Sequence, residues 1–235
     1  MRACAIVISY GREELCELLA CWQRQTVSVP LVLCFDGVAP PTAQLPANVH
    51  QHALPAGLGT ADSIGPVRAA AVQHARDLLN LNTHDAFICL EDDDYYHPEH
   101  AERTLATLRS ASWTGARRIG LQRQRGRPPV LLEGQGGPGQ QGAWGMRFGL
   151  YDEAGGYTSA KFEDVDLVHR IGARRCVSHQ WCTHVRRQQG YGMSCHDHDR
   201  FGTREAARLA EVVRPEWSSE LVELEAWCTR NLSAW

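Results

Sequence analysis

Lysine is nearly absent: Lys161 is the single lysine among 24 basic residues, a skew of the kind GC-rich coding produces. Long apolar runs are absent too. None approaches the roughly 18 residues of a membrane-spanning helix. The segment "ACAIVIS" near the start, with a thin basic flank, is too short for the core of a secretory signal. The expected location is therefore the cytoplasm. Paired CxxC spacing is missing among the nine cysteines (Cys4, Cys16, Cys21, Cys34, Cys89, Cys176, Cys182, Cys195 and Cys228), whose number is odd and whose positions fall mostly in apolar segments. This predicts reduced, largely buried thiols in place of a disulfide framework. Nor is there a large charge imbalance. A net charge of −3 excludes a global electrostatic footprint for nucleic acid and leaves one local basic cluster, Arg117, Arg118, Arg123, Arg125 and Arg127. What remains is an ordinary globular composition, 43% hydrophobic and 22% charged over 235 residues, enough for one large core or two small lobes.

Along the chain, apolar runs alternate with helical periodicity. "CAIVIS" (4–9) reads as a buried strand, and Leu15, Leu18, Leu19 and Trp22 then recur on one helical face. "VPLVLCF" (29–35) is a second strand, stopped by Asp36-Gly37 and followed by a proline-rich loop. Gly65-Pro66 opens a helix with Ala71, Ala75 and Leu78 on one face, "DAFICL" (85–90) is a third strand, and Pro98 starts a helix carrying Ala101, Leu105 and Leu108. Continuous apolar strands between amphipathic helices predict a mainly parallel sheet covered on both faces. The second half is less regular. "GQGGPGQQGAWG" (134–145) reads as a mobile glycine-rich flap, 163–172 as a short helix with an acidic start and Gly172 as its stop, and 175–185 as a strand. Two further helical stretches carry Ala206, Leu209, Ala210 and Val213, then Leu221, Leu224 and Cys228. There is no internal repeat.

Glu91, Asp92, Asp93 and Asp94 follow the third strand directly, where parallel α/β sheets gather their ligands. Two carboxylates about 4 Å apart repel by about 1 kcal/mol in water and about 4 kcal/mol at an effective dielectric near 20, so a cation should accompany them. Hard oxygen ligands suit Mg²⁺ or Mn²⁺, with open positions for substrate phosphates. The plainer alternative is a solvated acidic turn.

The succession "IVISYGRE", "VLCFDG", "SIGPVRAAAVQHA", "CLEDDDYYHPEH" and "FEDVDLVHRIGA" resembles inverting glycosyltransferases of the GT-A fold, family-2 type, over roughly residues 4–190. The resemblance implies a three-layer α/β/α, Rossmann-like fold in a single domain over 1–235. Its parts would be a nucleotide-sugar-binding half (1–112), an acceptor and catalytic half (113–200) and a C-terminal helical tail (201–235). "LEDD" is similar to the E-D-D variant in related N-acetylglucosaminyltransferases. The resemblance places the divalent ion, Mn²⁺ or Mg²⁺, on Asp93, with Glu91 and Asp92 as neighbours and His184 as a third ligand; His196 and His198 compete for that part. It places the nucleotide at Tyr10 and Asp36, and Arg68 near the diphosphate.

Sugar transfer also needs a base for the acceptor hydroxyl. The resemblance assigns it to Asp164 first and Glu163 second; Asp166 lies roughly 200° round the helix from Asp164, so the two cannot both face the sugar. The plainer alternative is an acidic start that complements the helix dipole, worth about 0.3–1 kcal/mol. Trp144 could stack on a sugar face or be a buried aromatic. Cys195, His196, Asp197 and His198 could alternatively form a small zinc site, but their tight spacing suits a solvent-exposed loop better than a tetrahedral cage.

The expected reaction is metal-dependent transfer of a sugar from a nucleotide diphosphate donor, a UDP-sugar, to an acceptor hydroxyl with inversion. A nucleotidyltransferase of similar fold is the alternative enzyme, though "SYGREEL" lacks its glycine- and basic-rich loop; a non-catalytic sugar- or metal-binding module is the alternative of another class. The acceptor stays open between a saccharide or small molecule and a nucleic acid such as a modified DNA base.

Overall fold

The first strand, β1 (Ala3–Ser9), sorts its side chains by alternation: Cys4, Ile6 and Ile8 enter one apolar core, Ala5 and Val7 the other. A computed structural model describes residues 1–12, 14–42, 45–55, 58, 64–122, 130–133, 141–158, 163–172, 175–187 and 223; at 121–122, 130–133 and 179–187 only the backbone is described. The helix α1 (Leu15–Gln23) covers the Ala5/Val7 face with Leu15, Leu18, Leu19 and Trp22, the stripe its periodicity predicts. On the opposite face, α2 (Ile64–Leu78) lays Val67, Ala71 and Ala75 against Cys4, Ile6 and Ile8. Small residues on α2 let it approach the sheet closely, while each fully buried Ile or Val contributes about 1.5–3 kcal/mol. Leu78, expected on that face, is instead 47% exposed, because it is the last residue of its helix.

The remaining elements are β2 (Leu31–Phe35), β3 (Val49–Ala53), β4 (Ala86–Glu91), β5 (Tyr95–Tyr96), α3 (His100–Leu108), β6 (Trp113–Gln122), β7 (Val130–Glu133), a 3₁₀ turn (Gln141–Ala143), β8 (Gly145–Arg147), α4 (Phe148–Glu153), α5 (Glu163–Ile171) and β9 (Val177–Arg187). They form one sheet of nine described strands in the order β3-β2-β1-β4-β8-β6-β9-β5, with β7 on β6. β3, β2, β1 and β4 are parallel; β8 runs antiparallel to both β4 and β6. Ser9 pairs with Phe35 and Phe35 with Ala53, while Ile8 pairs with Glu91, so four carboxyl ends meet along one rim.

Several elements differ from the sequence expectation. β3 follows the proline-rich loop unannounced, because "VHQHA" is an edge strand with only Val49 buried. The described end of the expected flap is ordered: Gln141, Gly142, Ala143 and Trp144 are buried, and the Trp144 carbonyl accepts the Cys89 amide at 2.8 Å. Residues 134–140, the C-terminal helical stretches, Cys195, His196, Asp197 and His198 lie outside the described residues. Cys4, Cys16, Cys21, Cys34 and Cys89 are free and buried, as expected, and burial holds the Cys89 thiol up at about 11. Among the described residues no helix is long and apolar enough to cross a membrane.

Candidate active site

The rim where the parallel strands end is built by two tight turns. Gly11 (φ 76°) follows Ser9 and Tyr10 at the end of β1, and Gly37 (φ 70°) follows Asp36 at the end of β2; side-chain-bearing residues rarely hold this left-handed backbone. The Gly11 amide donates to the Ser9 hydroxyl at 3.1 Å, and the Asp36 amide to the Ser9 carbonyl at 3.1 Å, which fixes the two turns side by side. Tyr10 is left 38% exposed, with the Arg12 guanidinium 6.0 Å from its ring centre, whereas Asp36 is buried and its carboxyl group is pushed upward by that burial.

The acidic run after β4 does not splay into solvent. Asp92 and Asp94 are buried. The guanidinium of Arg12, on the turn after β1, reaches both neighbouring carboxylates: Nη1 lies 3.2 Å from Asp92 Oδ1 and 2.6 Å from Asp93 Oδ2. Burial pushes the Asp92 carboxyl up to about 6, with Arg12 pulling the other way. Asp93 is likewise raised, by burial and then by the adjacent Asp94 charge. Such crowding is relieved by positive charge.

The second acidic segment is brought to the first by Arg68. This residue, the fifth of α2, donates from Nη2 to Glu91 Oε1 at 3.0 Å and from Nε to Glu163 Oε1 at 2.9 Å. Burial works against its charge, but Glu91 and Glu163 more than restore it. Glu91 is steadied further because its amide donates to the Tyr96 hydroxyl at 2.8 Å. Gly142 closes over this corner: a Cβ there would sit 3.0 Å from Glu91 Cγ and 3.3 Å from Asp94 Oδ2.

At the start of α5, three acids have three different surroundings. Glu163 is buried, held by Arg68, and raised by burial. Asp164 is half-exposed and accepts the Val165 amide at Oδ1 (2.8 Å). Asp166 turns to Arg170 (2.8 Å) and Thr158 (3.1 Å), which lower its pKa. Of the three, Asp164 is the one with no arginine against its carboxylate among the described residues, while Glu163 and Asp166 are each held by one.

One assignment is corrected. Trp144 is fully buried and packs edge-on against Trp113 at 5.5 Å, so it offers no face to a sugar. Arg68 has a side chain 11% exposed and engages two carboxylates, Glu91 and Glu163. The His184 backbone pairs with Tyr96, but its side chain lies outside the described residues. Arg12, Tyr96 and Gly142 join the site without having been anticipated; Arg12 lies inside the segment "SYGRE", where only Tyr10 drew attention.

The donor set suits a hard divalent ion, since Asp92 and Asp93 present only carboxylate oxygens. Asp92 Oδ2 is buried and accepts no well-aligned hydrogen bond among the described residues, although the Ser9 hydroxyl and Tyr10 amide steady its charge. No three His, Cys, Asp or Glu side chains among the described residues converge into an ion cage, so an ion held here would take its remaining ligands from substrate phosphates or water.

No family model matches the chain, and no curated protein does. Solved structures do. The S. aureus TarS 1–349 structure in complex with UDP is 16% identical, with a TM-score of 0.58 over 80% of this chain and 61% of that one. TarS 1–349 in complex with UDP-GlcNAc gives 15% identity and a TM-score of 0.57 over 83% and 61%. A longer TarS structure gives 15% and 0.58 over 80% of this chain and 37% of its own. The chain thus spans less than two thirds of these TarS chains, and the likeness establishes the fold, an α/β, Rossmann-like GT-A fold.

Proposed function

We propose that this chain is a glycosyltransferase that moves a sugar from a nucleotide diphosphate donor, a UDP-sugar, to an acceptor hydroxyl with inversion. The observation that carries the reading is the single guanidinium of Arg68, which ties Glu91 of the strand-end acidic run to Glu163 at the start of α5. It brings a charge-binding corner and a proton acceptor, far apart in sequence, into one site. The likeness in fold to TarS, solved with UDP and with UDP-GlcNAc, supports a nucleotide-sugar donor.

The residues divide the work by their surroundings. Tyr10 offers its exposed ring to the base and Asp36 an acceptor beside it. Asp93, with Asp92 behind it, would hold a divalent ion, Mn²⁺ or Mg²⁺; bound there, the ion neutralises charge on the leaving diphosphate. Glu163 and Arg68 set the start of α5, so that Asp164 is oriented to the acceptor. In the transfer, Asp164 takes the hydroxyl proton as the acceptor oxygen bonds to the anomeric carbon from one face. The bond from that carbon to the diphosphate oxygen breaks on the other, leaving one inversion. The acceptor is proposed to be a saccharide or small molecule. A salt-dependent DNA shift would move the choice to a nucleic acid met by the basic cluster, of which Arg117 is exposed and Arg123, Arg125 and Arg127 lie outside the described residues.

The test is a panel of nucleotide sugars with Mn²⁺, scored for donor hydrolysis and binding. Asp93→Ala is expected to lose donor binding. Asp164→Asn should keep binding and lose turnover by about 10²–10⁴-fold. Full activity in Asp164→Asn would remove the base assignment, and binding without turnover of any donor would make the chain a binding module.

A further inference from the structure

The contact of Arg12 with the acidic run goes beyond this reading and rests on it. Its Nη1 sits 2.6 Å from Asp93 Oδ2 and 3.2 Å from Asp92 Oδ1. A hard divalent ion such as Mg²⁺ bonds a carboxylate oxygen at about 2.0–2.1 Å. An ion on Asp93 Oδ2 directed at the pair would therefore fall where Nη1 already lies, and two cations cannot share that place. We propose that Arg12 is the resident counter-ion of Asp92 and Asp93, and that the divalent ion enters only as Arg12 leaves.

The position of Arg12 supplies its alternative partner. It follows Gly11 in the turn after β1, and its guanidinium carbon lies 6.0 Å from the centre of the Tyr10 ring. It thus spans the gap between the residue proposed to meet the base and the residues proposed to meet the ion, which is the place of a diphosphate. The side chain is 34% exposed, so it can turn without unpacking a core. A guanidinium fork matches phosphate oxygens as well as it matches carboxylate oxygens. Nucleotide diphosphate and ion therefore arrive together: the diphosphate draws Arg12 off the carboxylates, and the ion replaces it. Because coupling between two ligands is reciprocal, each should tighten the other.

The experiment is a Mn²⁺ titration of the intact chain, followed by the EPR signal of the free ion, with and without UDP. For the wild type, UDP is expected to tighten Mn²⁺ by about tenfold or more, within the range of ordinary allosteric couplings. Arg12→Met should bind Mn²⁺ about tenfold more tightly than the wild type when UDP is absent, gain less than about threefold from UDP, and bind UDP more weakly. Arg12→Gln carries the same comparison should the methionine variant fail to fold. Unchanged Mn²⁺ affinity in both variants without UDP overturns the exchange, as does a wild-type affinity indifferent to UDP. If UDP still binds and sugar is still transferred in that case, the transferase reading stands; if the wild type binds no nucleotide, both fall.

Discussion

Asp92 holds the sharpest conflict in the molecule. Its carboxyl group is 3% exposed, and burial raises it from 3.8 to about 6 despite the adjoining guanidinium. An acid whose pKa is raised by folding favours the folded state in its protonated form. That contribution is complete below the unfolded value and is lost as pH climbs through about 6. A rise of roughly two pKa units corresponds to about 3 kcal/mol as an upper figure. Asp92→Asn, neutral at every pH, is therefore expected to be about 1–3 kcal/mol more stable than the wild type at pH 8 in EDTA, with the gain gone by pH 4. Thermal unfolding at the two pH values reads this directly, and a gain independent of pH would assign it to shape instead of charge. Glu163 and Asp164 separate similarly. Glu163→Gln keeps a partner for Arg68 and should slow turnover by about tenfold or less, against the far larger loss at Asp164→Asn, with the two compared by kcat at saturating donor.

Arg68 makes α2, β4 and α5 depend on one another. Removing one partner of a buried ion pair is costly because the other charge stays behind, so Arg68→Met is expected to lose about 3–5 kcal/mol in urea denaturation. A phosphate ligand would behave oppositely, weakening UDP with stability intact. The 3₁₀ turn has a comparable part. In Gly142→Ala the new methyl would press on Glu91 and the Tyr96 hydroxyl (3.2 Å), so donor affinity should fall severalfold in isothermal titration while the core loses only about 1 kcal/mol. These dependences also show where sequence reading stops. β1, β2 and β4 were legible because strands covered on both faces are continuous apolar runs, and α1 because its stripe repeats at i, i+3, i+4 and i+7. β3 and β8 were not: one is a polar edge strand, the other three residues long beside a glycine-rich segment. In the site, the acidic residue types were legible, but their partners were not. Arg12 lies 80 and 81 positions from the carboxylates it meets, and Arg68 lies 95 from Glu163. Only the sheet order brings those together, and that order is set by burial over the whole chain.

For the molecule as a whole, the sheet continues across the expected border between residues 1–112 and 113–200. β8 lies between β4 and β6, and Trp113, Trp144, Met146 and Phe148 share a core with Cys4, Ile6, Ala71 and Phe87. The carboxyl rim belongs to the first part, but the lid on its acidic corner, Gly142, and the proposed base, Asp164, belong to the second. A nucleotide half cut away at residue 112 would bare Phe87, which otherwise meets Phe148 at 5.0 Å and Tyr151 at 5.5 Å, and would leave the outer edge of β4 unpaired. It would also strand Arg68 with Glu91 alone. Residues 1–112 expressed by themselves are therefore expected to show no cooperative thermal transition and to bind a hydrophobic dye, whereas adding residues 113–235 should restore a single transition together with UDP binding. A sharp, dye-free transition from the first fragment alone would mean that the shared core contributes little, and that the two acidic segments meet across an interface between independent units.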